Sequence, residues 1–267
     1  MAEDRLVNTK NVKTRVEDHV AWITIDHAER YNSFDAETQN DLTNAFRACG
    51  SNPRIGAIVL TGAGDKAFCT GGYLNDLADP DLELLHELFL GTVELTNAIR
   101  RTRQPVIAAV NGFAMGGGNE LVIACDFAIA SEHAVLGQTG PRVGSAPVIG
   151  GTNMLSLMIG EKRAKEVSFL CRRYTARQAC EMGWINEVVP HERLMERVRE
   201  WCGEILALSP RYLEIAKISS NYWWDLLQPG FNHGSRLLAA SAGSDEMIEG
   251  AKAFTEKRKP DFMKFRR

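Results

Sequence analysis

Apolar positions along the chain set the order of elements before any motif is considered. Alternation over "TRVEDHVAWITID", residues 14–26, predicts two short β segments joined near Asp18 and His19. The spacing then changes to a helical one. In "DAETQNDLTNAFRACG", residues 35–50, Ala36, Leu42, Phe46 and Cys49 follow Asp35, a capping residue type, while Thr38 does not complete a capping box. "IGAIVLTG" (55–62) and "PVIAAVNG" (105–112) are continuous apolar runs of strand length, the second entered by a proline where a strand tolerates one. Between them, "DLELLHELFLGTVELTNAIRRT" (81–102) predicts one long helix.

A short helix is predicted after Gly118, then short strands in "DFAIAS" (126–131) and "AVLG" (134–137). From residue 151 the pattern is helical: 151–160, 161–171, 175–183, 191–208, 210–227 and 236–259 each read as one helix. The amphipathic "RLMERVREWCGEIL" (193–206) reads as the core of a helical bundle. Strands with helices come first and helices alone come last, which predicts an α/β fold of ββα units with a helical tail. No low-complexity linker separates them. The expected division is a core over 1–200 and a C-terminal helical region over 201–267.

Composition narrows the function classes. With 45% apolar and 24% charged residues among 267, the chain lies in the range of soluble globular proteins. A net charge of −3 supplies no basic field for nucleic acid, and the apolar runs are too short to span a membrane. The polar N-terminal segment lacks a secretory pattern. Six cysteines without a CxxC pair or zinc spacing read as reduced thiols in a cytoplasmic protein with no metal.

Chemistry is suggested at "NGFAMGGGNELVIACD", residues 111–126. Three consecutive glycines cost backbone entropy, and a carboxylate just before "LVIAC" is expected to be at least partly buried. A strand running through glycines into a helix presents free backbone N–H groups at the positive end of the helix dipole. A second loop, "GDKAFCTGGYL" (64–74), also follows a buried strand and contains paired glycines. Two such loops facing each other would form an oxyanion hole from main-chain amides. The dinucleotide fingerprint G-x-G-x-x-G is not spelled, and no acid follows at its spacing. Tight packing alone is the alternative reading of each loop, and a dipole-complementing acid is the alternative for Glu120.

At these residues the chain resembles the crotonase, or enoyl-CoA hydratase/isomerase, superfamily. The resemblance rests on "AIVLTGAGDKAFCTGG", "PVIAAVNGFAMGGGNELVIACDFAIAS" and "RYTARQACEMGWINEVV", with "ITIDHAERYNSFD" and "AFTEKRKPDF" at the two ends. It implies a spiral of ββα units, a C-terminal helical region that trimerises, and coenzyme A thioesters as substrates. Assembly as a homotrimer or dimer of trimers is implied, with coenzyme A entering only as part of the substrate and no other cofactor.

Carried over residue by residue, the resemblance places the oxyanion N–H groups on Thr70 and Gly117, beside Gly71 and Gly116. It places Arg30 near the coenzyme A phosphates, Ala67 and Phe68 near adenine and pantetheine, and Phe254 and Lys257 against coenzyme A from a neighbouring helix or subunit. Arg30 and Lys257 read equally as surface charges, and "EKRKPDFMKFRR" as a solvated basic end.

The resembled hydratases use two carboxylates. The first matches Glu120; the second falls at Gly140, where there is no acid. "GQTGPRVGS" and "EKRKPDF" resemble a branch containing dihydroxynaphthoyl-CoA synthase and hydrolases that open alicyclic oxo-acyl-CoA rings, and "GSAPVIGGT" resembles the latter. The synthase pattern is broken by Ala146 and Pro147 after Ser145, by Tyr73, and by "LAASAG". The resulting expectation is single-glutamate water addition or hydrolysis on a cyclic or bulky enoyl- or β-oxo-acyl-CoA. Ser145 would orient water or substrate, or serve only as a turn residue. Gln138 would bond a second oxygen, or only its own loop. Tyr73, Trp223 and Trp224 are candidates for shaping the acyl site. Double-bond isomerisation, carbon–carbon chemistry and an inactive scaffold are the alternatives.

Overall fold

The computed structural model describes residues 7–266. From β3 to β8 its order is a repeat in which consecutive strands go to different sheets. The larger sheet contains β1 (Val12–Glu17), β2 (Val20–Ile25), β3 (Ala57–Gly62), β5 (Val106–Val110), β7 (Phe127–Ser131) and β10 (Glu187–Val189), in that spatial order. The smaller one contains β4 (Ala67–Cys69), β6 (Phe113–Met115), β8 (Val135–Gly137) and β9 (Arg173–Thr175). Thus β3–β4, β5–β6 and β7–β8 are successive turns of a spiral. Within each sheet the equivalent strands run parallel, and the ends of neighbouring turns fall side by side.

Residues of β3 alternate between two cores. Ile58 and Leu60 join the main cluster, with Leu42 and Phe46 of α1 (Ala36–Ser51) and Leu95 and Ile99 of α3 (Leu82–Arg100). Ala57 and Val59 face the opposite way, onto Val198, Cys202 and Ile205 of α8 (Leu194–Leu206). The amphipathic stretch at 193–206 therefore covers the outer face of the sheet and is not the core of a helical bundle. Its apolar stripe fits either partner, so periodicity alone does not choose between them.

Short elements escaped the sequence reading. Strands β4, β6, β9 and β10 have three residues each, too few to show a period. Helix α2 (Leu74–Ala78) was likewise not foreseen. The helix expected over 210–227 is two, α9 (Pro210–Ser220) and α10 (Tyr222–Ala240), joined at Asn221. The buried Asn221 amide donates to the Arg100 carbonyl at 2.9 Å, fixing the join. The helix expected over 236–259 is also two: α10 ends at Ala240, and α11 (Asp245–Thr255) begins after Gly243, whose φ of +73° a helix cannot accommodate.

The helical region is fastened to the spiral. Lys217 of α9 is buried, with its ammonium 2.7 Å from Asp126 Oδ2, and it donates to Thr102 Oγ1 at 2.9 Å and the Gln104 carbonyl at 2.8 Å. Burial pulls the Lys217 pKa down, while Asp126 opposes that shift. Trp224 and Phe231 of α10 complete the main core, with ring centroids 4.7 Å apart.

Candidate active site

The pairing of β4 with β6 brings the two glycine loops together. Cys69 is registered with Ala114, so residues 70–72 and 116–118 leave adjacent parallel strands at the same end. The approach is main chain against main chain. A Cβ on Gly71, whose φ is +84°, would lie 2.7 Å from Gly117 N. A Cβ on Gly118 would overlap the Cys69 carbonyl. This contact is why the glycines are needed there.

Gly116, with φ +55°, leads into α4 (Gly117–Ala124) and donates its N–H to the Gly137 carbonyl at 3.0 Å. The N–H groups of Thr70 and Gly117 have no acceptor among the described residues. Thr70 is anchored through its hydroxyl, which donates to the Tyr31 carbonyl at 3.3 Å. Two free amides on abutting loops, one at a helix N-terminus, form an environment suited to a developing oxyanion.

Thr70, Gly116, Gly117, Glu120, Gln138, Gly140 and Ser145 line one cavity of about 100 Å³. Its remaining wall is chiefly apolar, with Leu74 and Leu77 from α2, Leu88 and Phe89 from α3, and Leu238 from α10. Leu88 and Phe89 fall in the helix predicted over 81–102 and Leu238 in that over 236–259, but nothing in their spacing identified them as cavity wall. Tyr73, Trp223 and Trp224 are not among the lining residues. Tyr73 stacks under the Arg30 guanidinium at 4.4 Å, Trp223 is exposed, and Trp224 is core, donating to Asn97 Oδ1 at 2.9 Å.

Glu120 projects from the first turns of α4 and is 6% exposed. Its Oε1 accepts the Ile149 N–H at 2.9 Å. Burial raises its pKa from 4.5 to about 8, against the lowering effect of the N–H groups of Ile149 and Gly151. Among the described residues no other titratable side chain lines the cavity. The group is therefore mostly protonated at neutral pH and holds a pKa suited to exchanging a proton in either direction.

Gln138, which lines the same cavity, is completely buried, and neither its amide oxygen nor its nitrogen has a partner among the described residues. Gly140 lies beside it. A Cβ on Gly140 would sit 2.8 Å from Ala146 Cα and 3.0 Å from Pro147 Cδ, so Ala146 and Pro147 occupy the space a second acid would need. Ser145, half-buried, donates its N–H to the Gly140 carbonyl at 2.8 Å.

The residues expected near the coenzyme A moiety lie outside the cavity lining. Arg30 and Lys257 are exposed, Phe254 is exposed on α11, and the side chains of Ala67 and Phe68 are buried in the core. Neither they nor Gly71 line the cavity. Among the described residues no group of three or more His, Cys, Asp or Glu side chains is placed to hold a metal ion.

Residues 15–265 match the profile of the enoyl-CoA hydratase/isomerase family. The chain is similar to an enoyl-CoA hydratase from Bacillus anthracis at 33% identity, with 94% of this chain and 98% of that one covered and a TM-score of 0.78. A Geobacillus kaustophilus enoyl-CoA hydratase subunit is 32% identical, with 94% and 97% covered and a TM-score of 0.74. The fold is shared with an enoyl-CoA hydratase from Mycobacterium avium subsp. paratuberculosis, at 24% identity, 96% and 99% coverage and a TM-score of 0.86.

Proposed function

Because the chain belongs to the enoyl-CoA hydratase/isomerase family, we propose that it adds water to the conjugated double bond of a short enoyl-CoA, using Glu120 as the one proton-transfer group. The observation that carries this reading is a single buried carboxyl group sharing a small apolar cavity with the free amides of Thr70 and Gly117. The thioester carbonyl oxygen would accept from both amides. As the water oxygen bonds to C3, the Glu120 carboxylate takes a proton from the water, and the π electrons move onto the thioester oxygen. The two N–H groups and the α4 dipole stabilise that enolate. Its collapse takes the proton back from Glu120 onto C2, so water is added and the carboxylate is restored.

Cavity size refines the acyl group. An apolar cavity of about 150 Å³ accommodates a benzene ring, and this one offers about 100 Å³. A cyclic acyl group, as in the ring-opening hydrolases that "GSAPVIGGT" resembles, would require the walls at α2, α3 and residues 143–149 to move apart. A four-carbon chain would not.

Turnover of crotonyl-CoA, followed as loss of enoyl-thioester absorbance between pH 6 and 9, tests the proposal. The ionised form of Glu120 starts the cycle, so kcat/KM is expected to rise about tenfold per pH unit and level off above about pH 8. A profile that falls above pH 8 would contradict the base role. No turnover and no coenzyme A binding by calorimetry would favour the scaffold reading, and a product of unchanged mass would favour isomerisation.

Gln138 would hold the water that a second carboxylate holds in two-acid relatives, aided by the Ser145 hydroxyl. Its amide is buried without a partner, and such a group costs roughly 1–3 kcal/mol. Gln138→Leu is therefore expected to leave thermal stability equal or higher while lowering kcat about tenfold. Unchanged kcat would remove Gln138 from the mechanism.

Coenzyme A is proposed to run from the cavity toward Arg30 and the main chain of residues 67–71, with Phe254 and Lys257 closing over it. Assembly as a trimer or dimer of trimers is proposed through the helical region, where Tyr212, Ile215, Ile218, Tyr222, Trp223 and Leu226 are exposed large apolar side chains on α9 and α10.

A further inference from the structure

One carboxylate folds the C-terminal segment back onto α11. Glu249 is 9% exposed and accepts Arg258 Nη1 at 2.6 Å, Arg258 Nη2 at 3.2 Å, the Asp261 N–H at 2.8 Å and Lys264 Nζ at 3.1 Å. These donors hold its carboxyl well below the usual glutamate range, led by the bond from Arg258. The chain reverses at Lys257, with φ +55°, and its N–H and that of Arg258 donate to the Phe254 and Ala253 carbonyls. The basic end is thus tied down at Arg258 and Lys264 and is not a free solvated tail.

Helix α11 also packs against a segment that lines the cavity. Its contact with residues 143–144 is main chain on main chain: a Cβ on Gly144 would lie 2.5 Å from Met247 Cα, and one on Gly250 would overlap Val143. With no side chains between them, a shift of the helix must shift the loop. Helix α11 also packs along α2, which supplies Leu74 and Leu77 to the cavity. The loop continues through Ser145 and Pro147, both cavity-lining, to Ile149, whose N–H bonds Glu120.

We infer that Glu249 is a positioning residue for the active site: its bonds to Arg258, Asp261 and Lys264 fix α11, and α11 fixes the 143–149 segment that encloses Glu120. The kinetic consequence rests on the proposed role of Glu120; the structural one does not. The groups facing Glu120 are the Ile149 and Gly151 amides and neutral cavity walls, so its proton affinity reports enclosure directly.

Two measurements on Glu249→Gln test this. Glutamine keeps an acceptor for the Asp261 N–H but removes the charge that holds Arg258 and Lys264. Hydrogen exchange read by mass spectrometry is expected to accelerate at least about tenfold over residues 143–151, beyond the tail itself. The apparent pKa in the kcat/KM profile is expected to fall by about one unit from its wild-type value, because water entry relieves burial, the largest cause of its elevation. Arg258→Gln, a milder change at an exposed residue, should move both readouts in the same direction and decides the matter if Glu249→Gln does not fold. Faster exchange confined to residues 256–266, with 143–151 and the pH profile unmoved, overturns the inference. If the wild-type protein turns over no enoyl-CoA, exchange over 143–151 still decides it, and only the reaction assignment falls.

Discussion

Glu120→Gln is expected to lower turnover of a short enoyl-CoA by at least about 10²-fold while making the folded protein harder to unfold at pH 7–8. The activity loss follows because, among the described residues, no other titratable group lines the cavity to move the proton. The gain in stability follows from the sign of the pKa shift. The Glu120 pKa is about 8 in the folded protein against an ordinary 4.5. Between those values the folded state binds more protons than the unfolded state, so the stability associated with this group is complete below about 4.5 and is lost as pH rises through about 8.

A glutamine does not titrate, and its amide oxygen still accepts the Ile149 N–H. The wild-type protein should therefore lose stability relative to the variant across that window, by a few kcal/mol at order-of-magnitude precision. Urea unfolding of both proteins at pH 5 and pH 8 measures the difference. Equal pH dependence would mean that Glu120 is hydrated, and retained turnover would mean that another group carries the proton.

Gly71→Ala should abolish most activity by a different route. The residue has φ +84°, which an alanine adopts at a cost of about 1–3 kcal/mol. Its Cβ would be placed 2.7 Å from Gly117 N, in the seam between the two amide-bearing loops. Relief requires the loops to separate, and loss of one oxyanion donor costs about 10²–10³ in kcat. The expected result is a kcat reduction of that order with a lowered melting temperature. Gly203→Ala provides the contrast: it lies in α8 with nothing near its Cβ position, and about 0.5–1 kcal/mol of stabilisation is expected there. Wild-type kcat in Gly71→Ala would show that the seam between residues 71 and 117 does not position the reacting oxygen.

Much of the fold was legible in the chain. Continuous apolar runs located β3 and β5, and helical spacing located α1 and α3, because these elements are long enough to display a period. The second strands of the first two spiral turns, β4 and β6, were not, since three residues show none; β8, equally short, was found at "AVLG". The helical breaks at Asn221 and Gly243 were missed for another reason: apolar spacing continues across both, and a partner in space stops the helix in one case and a backbone angle in the other. Glycine runs and Glu120 pointed to a site through the cost of placing them there. Leu88 and Leu238 gave no comparable signal, because a leucine facing a cavity and one facing a core look alike in sequence.

The sequence by itself determined the alternation of strands and helices, the helical end, the two glycine loops, and the absence of an acid at Gly140. Those are local matters of side-chain type and spacing. Only the tertiary structure decided that the two loops abut, that Ala146 and Pro147 fill the space beside Gly140, that Gln138 is left without a partner among the described residues, and that Glu249 draws Arg258, Asp261 and Lys264 back onto α11. Each is a relation in space between residues apart in the chain, and a pattern along one strand of sequence carries no distance between them.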